Sequence, residues 1–362
     1  MAFVPIFEFD WRDPDVTRLP VALIGAGSRA REVYGPLLRG PLKDRIQLVG
    51  VIGRGEERAA ATGSALDVPW TTDLEELRTW GARATIVCVS SPENGSVGHA
   101  VLQHGLPTLL ETPLALDPAQ ALLLRDVALS SGLPIAVAEQ NPRHLGSRLI
   151  IESCKRGVIG EPKVVVTDGA GYRYHAVAVA RAVLGKTRGR IATGQRVVCP
   201  EVDVGRGVGP EEILIGTVRA EGGGLLQFRD AEAAWVDQGP WSRGTGRVLG
   251  TRGEFVGGSV VAWDGKRTSL PIEPIERTIQ GKTRRVGLRL LTNPPIEVMA
   301  ALPEAGLDDD RQAVAGCILD WLHRIDGADV GWTVQDAYAD LAWLDGMSRS
   351  AVLGGAPILL EA

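Results

Sequence analysis

Two places in this 362-residue chain carry side chains whose types and spacing suit chemistry. The first is Gly25-Ala26-Gly27-Ser28-Arg29-Ala30, a G-x-G-x-x-A sequence directly after the apolar run Pro20-Val21-Ala22-Leu23-Ile24. Such a loop receives a dinucleotide. The first glycine turns the chain, the second lets backbone approach a pyrophosphate, and a small Ala30 lets the following helix pack against the strand. The helix start then offers free N–H groups to the anion. The second place is Tyr172-Arg173-Tyr174-His175. A histidine titrates near neutral pH and can pass a proton to an oxygen, nitrogen or carbon, while a tyrosine can donate a hydrogen bond to the same atom. Residue type leaves two readings open for each: His175 as proton carrier or as a helix-start residue bonded to backbone, and Tyr172 and Tyr174 as donors or as packing.

The choice of dinucleotide is read at the end of the second strand, where an acid that binds the ribose 2′-OH marks NAD. Here Leu48-Val49-Gly50-Val51-Ile52 runs into Gly53-Arg54, with no acid at either position. A glycine makes room and an arginine can clamp a 2′-phosphate, so NADP(H) is favoured over NAD(H). The alternative has Arg54 in solvent and Glu56 or Glu57 on the ribose.

The elements that must position these residues follow from apolar periodicity. Strands are expected at Pro20–Ile24, Ile46–Ile52, Ala84–Val89, Pro107–Leu110 and Pro134–Ala138. Helices are expected at Arg29–Arg39, Glu56–Ser64, Leu74–Trp80, Ser96–His104 and Pro118–Ser130, the last opened by an Asp117-Pro118 start. Alternating strands and helices imply an α/β Rossmann domain with a doubly wound parallel sheet, over residues 1–140. In that fold Ser90 and Ser91, at a strand end, face the cofactor crevice. Beyond residue 140 a helix at Arg143–Arg156 precedes strand signals from Lys163 to about Leu290, among them Glu212–Val218, Gly224–Phe228, Ala233–Asp237 and Val260–Trp263. Helices at Asp310–Ile325 and from Thr333 onward close the chain. Residues 141–362 thus read as an α+β domain with a large, mainly antiparallel sheet for substrate binding and oligomerisation.

Composition narrows the classes further. With 39 basic and 44 acidic side chains the formal charge is -5, which argues against a nucleic-acid partner and a polybasic membrane anchor. No apolar run reaches about 18 residues, so no spanning helix is expected. The start MAFVPIFEFDWRDPD lacks a basic n-region, and no secretory signal is read there. Cys88, Cys154, Cys199 and Cys317 are scattered, without metal spacing, and His99, His104, His144 and His323 have no ligand partners at sensible spacing. A cytoplasmic protein with no disulfide framework and no metal is the expectation.

Taken in order, Gly25-Ala26-Gly27-Ser28-Arg29, Leu110-Glu111-Thr112-Pro113-Leu114 and Arg156-Gly157-Val158-Ile159-Gly160-Glu161-Pro162 resemble the Gfo/Idh/MocA oxidoreductases, the family of glucose–fructose oxidoreductase and inositol dehydrogenase. Tyr174-His175 with Ala180-Arg181-Ala182-Val183-Leu184-Gly185 is similar to its active-site helix. Gly250-Thr251-Arg252-Gly253-Glu254 is similar to a sheet turn of the family, and Asp336-Ala337-Tyr338-Ala339-Asp340 with Ser348 to its closing helix. The resemblance implies hydride transfer between a nicotinamide and a sugar, polyol or related carbonyl compound, and a homodimer or homotetramer joined through the C-terminal sheet. It also implies that Glu111 orients the loop beneath the cofactor and that Thr112 lies near the nicotinamide. Gln140, at the domain junction, is expected to bond to the nicotinamide side or the substrate.

The chain departs from that pattern at two points. Thr112 stands where the family carries a lysine, and Ala178 and Val179 stand where it often carries a carboxylate. Threonine has no charge and is no general acid near pH 7. His175, with Tyr174 and Tyr172, is left as the candidate catalytic group. Arg181, six residues on, lies on another helix face and reads equally as ion-pair partner or substrate anchor. The expected activity is an NAD(P)-dependent oxidoreductase acting on a small carbonyl, polyol, imine or enone. The alternatives are a redox-neutral lyase, isomerase or cyclase on the same scaffold, or a non-catalytic dinucleotide-binding partner protein.

Overall fold

Strand β1 (Leu19–Ile24) buries four successive residues, Val21 to Ile24, as a strand covered on both faces must. It lies inside a six-stranded sheet with β2 (Ile46–Ile52), β3 (Trp70–Thr71), β4 (Ala84–Val87), β5 (Thr108–Leu110) and β6 (Ala136–Val137). The order is β3-β2-β1-β4-β5-β6 and every pairing is parallel. This is a doubly wound Rossmann sheet, whose order reverses between β1 and β4 and leaves a crevice at their carboxyl ends. The structure is a computed structural model describing residues 18–168, 172–203, 208–231 and 246–360. The expected strand at 233–237 lies outside the described residues.

The connecting helices are α1 (Gly35–Arg39), α2 (Glu56–Leu66), α3 (Glu76–Thr79), α4 (Asn94–Leu102) and α5 (Pro118–Ser131). As its sequence foretells, α5 starts with Asp117 accepting a hydrogen bond from the Ala119 N–H at 3.0 Å, with Pro118 inside the first turn. The expected single helix at 29–39 is instead a π-helical stretch, Ala30–Tyr34, running into α1. Pro36 has no N–H with which to continue an α ladder, and the wider turn precedes it. Strand β3, only two residues long, was too short for its alternation to be read.

A second unit is built on a nine-stranded sheet. Helix α6 (Leu145–Lys155) precedes β7 (Pro162–Asp168), α7 (Arg173–Val183), β8 (Gly189–Asp203), β9 (Val208–Ala220), β10 (Leu225–Asp230), β11 (Arg247–Gly250), β12 (Gly253–Val256), β13 (Ser259–Trp263) and β14 (Arg267–Leu270). With a late strand, β18 (Ile358–Leu359), the order is β14-β13-β12-β11-β7-β10-β9-β8-β18. Among the described residues of this sheet only β7 and β10 pair in parallel. Three further strands, β15 (Ile272–Ile279), β16 (Lys282–Leu290) and β17 (Ile296–Met299), form a separate antiparallel sheet. One core joins Leu145 and Leu149 of α6, Val177 and Ala180 of α7, and Leu214, Val218, Leu226 and Phe228 of the sheet.

The division of the chain is not a single cut. The first unit runs to Glu139 and also takes Leu307–Tyr338, whereas the expectation was residues 1–140 against 141–362. The reason is packing of α8 (Asp309–Ile325), capped by Asp308, and of the segment after it. Trp321 is fully buried and its indole N–H donates to the Pro134 carbonyl at 3.2 Å, while Trp332 bridges to Val137. Thr333 and Asp336 then exchange cap bonds at the start of α9 (Val334–Val352), as their spacing predicts.

Candidate functional site

The glycine loop is fixed by its neighbours at one end and open at the other. Gly25 has φ +124°, and a side chain there would run into the Cys88 carbonyl after β4, so glycine is required for both conformation and space. The Thr62 hydroxyl of α2 donates to the Ala26 carbonyl at 3.1 Å and holds the loop from behind. Gly27 is different. A Cβ there would meet nothing within 4 Å, and both Gly27 and Ser28 are exposed. Ala30 is fully buried, as close helix packing needs. The loop therefore fits a dinucleotide: its open side is where a diphosphate passes the second glycine.

Beneath it, the side chains of Arg29, Tyr34, Glu111 and Thr112 form one network. The buried Glu111 carboxylate accepts from Arg29 Nε and from the Tyr34 hydroxyl (3.0 Å) through Oε1. Through Oε2 it accepts from the Thr112 N–H (2.7 Å) and hydroxyl (3.2 Å). Burial works against the Arg29 guanidinium, but the charge and hydrogen bond of Glu111, with Tyr34 and Asp310, together outweigh it and hold Arg29 above the ordinary arginine value. Burial, and then Glu111, push the Tyr34 phenol well up; the same two causes raise the Cys88 thiol. Asn94 donates to the carbonyls of Glu111 (3.2 Å) and Pro113 (2.8 Å), fixing the turn that carries Thr112 and its cis bond to Pro113. Glu111 is thus a positioning group, bonded to the protein's own donors. Thr112 donates its hydroxyl hydrogen inward and presents a ligand only with lone pairs.

Arg54, Ser90 and Ser91 come together around a residue the sequence reading did not single out. Arg54 Nη1 donates to Glu93 Oε1, and the Ser90 hydroxyl donates to Glu93 Oε2 at 2.7 Å. Ser91 opens the single 3₁₀ turn Ser91–Glu93 that carries this carboxylate. Gly53 needs a correction. A Cβ there would lie 2.9 Å from Ala59 Cβ and 3.0 Å from Ala26 Cβ, so the position serves the packing of α2 against the loop, and the room it leaves is filled by protein.

The other candidates lie in the second unit. Tyr172 precedes α7 and is exposed; its ring is parallel to that of Tyr174, with centroids 5.8 Å apart. Tyr174 in turn lies 4.4 Å from the His175 ring. His175 is buried, only 5% exposed, with Gln140 Nε2 3.5 Å from its Nε2. Gln140, expected on the cofactor, thus keeps company with the candidate histidine. Arg173 is tied to the buried Asp230 at 2.6 Å, which anchors the start of α7 to β10. Arg181 is a structural residue: it pairs with Asp340 at 2.6 Å, both of them buried, and lies over the Trp343 ring. Ala178, one of the two residues expected in place of a carboxylate, is buried. Among the described residues no group of three or more His, Cys, Asp or Glu side chains is placed to hold a metal, and no helix is long and apolar enough to cross a membrane.

Residues 19–139 match the Gfo/Idh/MocA oxidoreductase family, NAD-binding Rossmann fold. No curated protein matches the chain. Among solved structures, an oxidoreductase from Agrobacterium radiobacter in complex with NAD+, L-tartaric acid and magnesium is 14% identical, with a TM-score of 0.69 over 95% of this chain and 98% of that one. An NAD-binding oxidoreductase from Klebsiella pneumoniae is 16% identical, with a TM-score of 0.70 over 96% and 100%. An oxidoreductase from Sinorhizobium meliloti is 17% identical, with a TM-score of 0.66 over 95% and 100%. These structures share the fold along nearly the whole chain. The resemblance read from the motifs is upheld, in the first unit by the family match and beyond it by fold.

Proposed function

We propose that the chain is an oxidoreductase that moves hydride between NADP(H), in preference to NAD(H), and a small carbonyl, polyol, imine or enone compound. The observation that carries this reading is the glycine loop, where Gly25 admits no side chain while Gly27 lies open. When bound, the nicotinamide supplies or accepts the hydride. Gly25 to Ala30 hold the diphosphate through backbone N–H groups, and Arg54 offers its charge to the 2′-phosphate. The Glu111 network sets the height of the turn bearing Thr112, whose oxygen accepts a hydrogen bond from a bound ligand. Because Thr112 cannot protonate a reacting atom, His175 has that task, and the neighbouring rings of Tyr174 and Tyr172 orient the acceptor.

On the same footing we place the protein in the cytoplasm as a homodimer or homotetramer. Free cysteines Cys88, Cys154, Cys199 and Cys317 support the first half of that statement. For the second, Ile215 and Val197 stand 42% and 45% exposed on the sheet face opposite Leu214 and Val218.

The test is calorimetric titration of the protein with NADPH, NADP, NADH and NAD, followed by a turnover screen with imines, enones and sugars. Binding of the phosphorylated forms with cofactor-coupled turnover is expected. Binding of none of the four overturns the reading and leaves a partner protein. Substrate conversion with the nicotinamide unchanged points to a redox-neutral lyase, isomerase or cyclase.

A further inference from the structure

We infer that Glu93 is the residue that sets how strongly this chain prefers a 2′-phosphorylated dinucleotide, by competing with the phosphate for Arg54. The inference rests on the cofactor reading above and adds to it a residue that neither the glycine loop nor the end of β2 supplies.

Arg54 follows β2 and Glu93 follows β4, the two strands that flank β1. The Arg54–Glu93 ion pair therefore reaches across the carboxyl end of β1, where the glycine loop leaves the sheet. Two strand spacings of about 4.8 Å separate its anchor points, a span that a long arginine covers. The carboxylate is held in advance of any ligand: its second oxygen accepts from the Ser90 hydroxyl at 2.7 Å, and the Glu93 backbone N–H donates to the Ser90 carbonyl at 2.8 Å. The arginine is the looser partner. Its side chain is 80% exposed against 30% for Glu93, so most of the guanidinium faces solvent.

An exposed pair of this kind is weak, and a phosphate with nearly two charges and a bidentate geometry displaces a carboxylate from arginine. Displacement breaks the Arg54–Glu93 pair, a cost that the phosphorylated cofactor alone meets and that leaves the unphosphorylated one untouched. Gly53 strengthens the point. With no side chain tolerated there, the discriminating acid cannot stand at the end of β2 and stands instead on the loop after β4.

The experiment is calorimetric titration of wild type, Glu93→Gln, Ser90→Ala, Arg54→Ala and the double variant Arg54→Ala/Glu93→Gln with NADP and NAD, each variant checked by circular dichroism. Glu93→Gln is expected to tighten NADP by about twofold to fivefold while NAD stays within about twofold. Ser90→Ala, which frees the carboxylate to move away, shifts NADP the same way by less. The gain disappears when Arg54 is absent, because the competition is for that side chain. Weaker NAD binding by Glu93→Gln would overturn the inference and make Glu93 a ribose-binding acid. Equal changes for both cofactors, or a gain that survives Arg54→Ala, would overturn it as well. If no protein in the set binds either dinucleotide, the cofactor reading itself fails and this one falls with it.

Discussion

Arg29 donates through Nε to Oε1 of Glu111, and this one bond ties the first turn after β1 to the end of β5. Two strands of the sheet are thereby coupled at the point where a dinucleotide passes. Glu111→Gln keeps the shape and removes the charge that compensates a partly buried guanidinium. A loss of about 1–3 kcal/mol of stability is expected, read by urea unfolding, with cofactor affinity falling in parallel. Unchanged stability would show that Arg29 finds another partner.

The two loop glycines should separate cleanly. Gly27→Ala adds a methyl where nothing lies within 4 Å, so its unfolding free energy should stay within about 0.5 kcal/mol of wild type. Dinucleotide binding should nevertheless drop by at least about tenfold, since each 1.4 kcal/mol of lost approach is a factor of ten. Gly25→Ala, at φ +124° and against the Cys88 carbonyl, should lose stability first.

Placing an acid at the end of β2, the usual route toward NAD, should fail in this chain for a packing reason. Gly53→Asp forces Ala59 and Ala26 apart from contacts of 2.9 and 3.0 Å. About 1–3 kcal/mol of destabilisation is expected in thermal or urea unfolding, before any change in cofactor choice is seen.

His175→Phe keeps a ring in the buried site and removes the proton. Turnover should fall by about 10²–10⁴ while titration with cofactor is unaltered. Equal loss of cofactor binding would make His175 a structural residue of α7 instead.

His104 gives a pH dependence whose sign can be worked out. Burial lowers its pKa below the ordinary histidine value, so the folded chain holds the ring neutral where the unfolded chain has begun to protonate. The stability present above pH about 6.5 is therefore lost as pH falls from there toward the folded-state pKa. His104→Gln should flatten that part of the stability curve. At the other extreme, burial pushes the Cys154 thiol up to about 12, so it should stay unreactive to a thiol reagent at pH 8 in the folded state.

Five of the six strands of the first unit were legible because they are mostly apolar runs; Ile46–Ile52 was bounded to the residue. The cap at Asp117 was legible for the same kind of local reason. What escaped was made by approach in space. Glu93 is an ordinary acid in sequence and becomes notable only because β2 and β4 flank β1 and bring its loop to Arg54. Arg181 kept two readings until Asp340, far along the chain, supplied the partner. Gly53 looked like room for a ligand because a missing side chain does not say what fills the space, and here Ala59 and Ala26 fill it.

The return of Leu307–Tyr338 to the first unit has a consequence for biosynthesis. On the ribosome the residues up to Glu139 emerge early, but the surface that receives Trp321 stays uncovered until nearly the whole chain has been made. The first unit starts first, yet it can close only after residues 140–306 have been made. A nascent chain stopped anywhere before Leu307 should therefore be a target for proteases and chaperones, however complete its glycine loop.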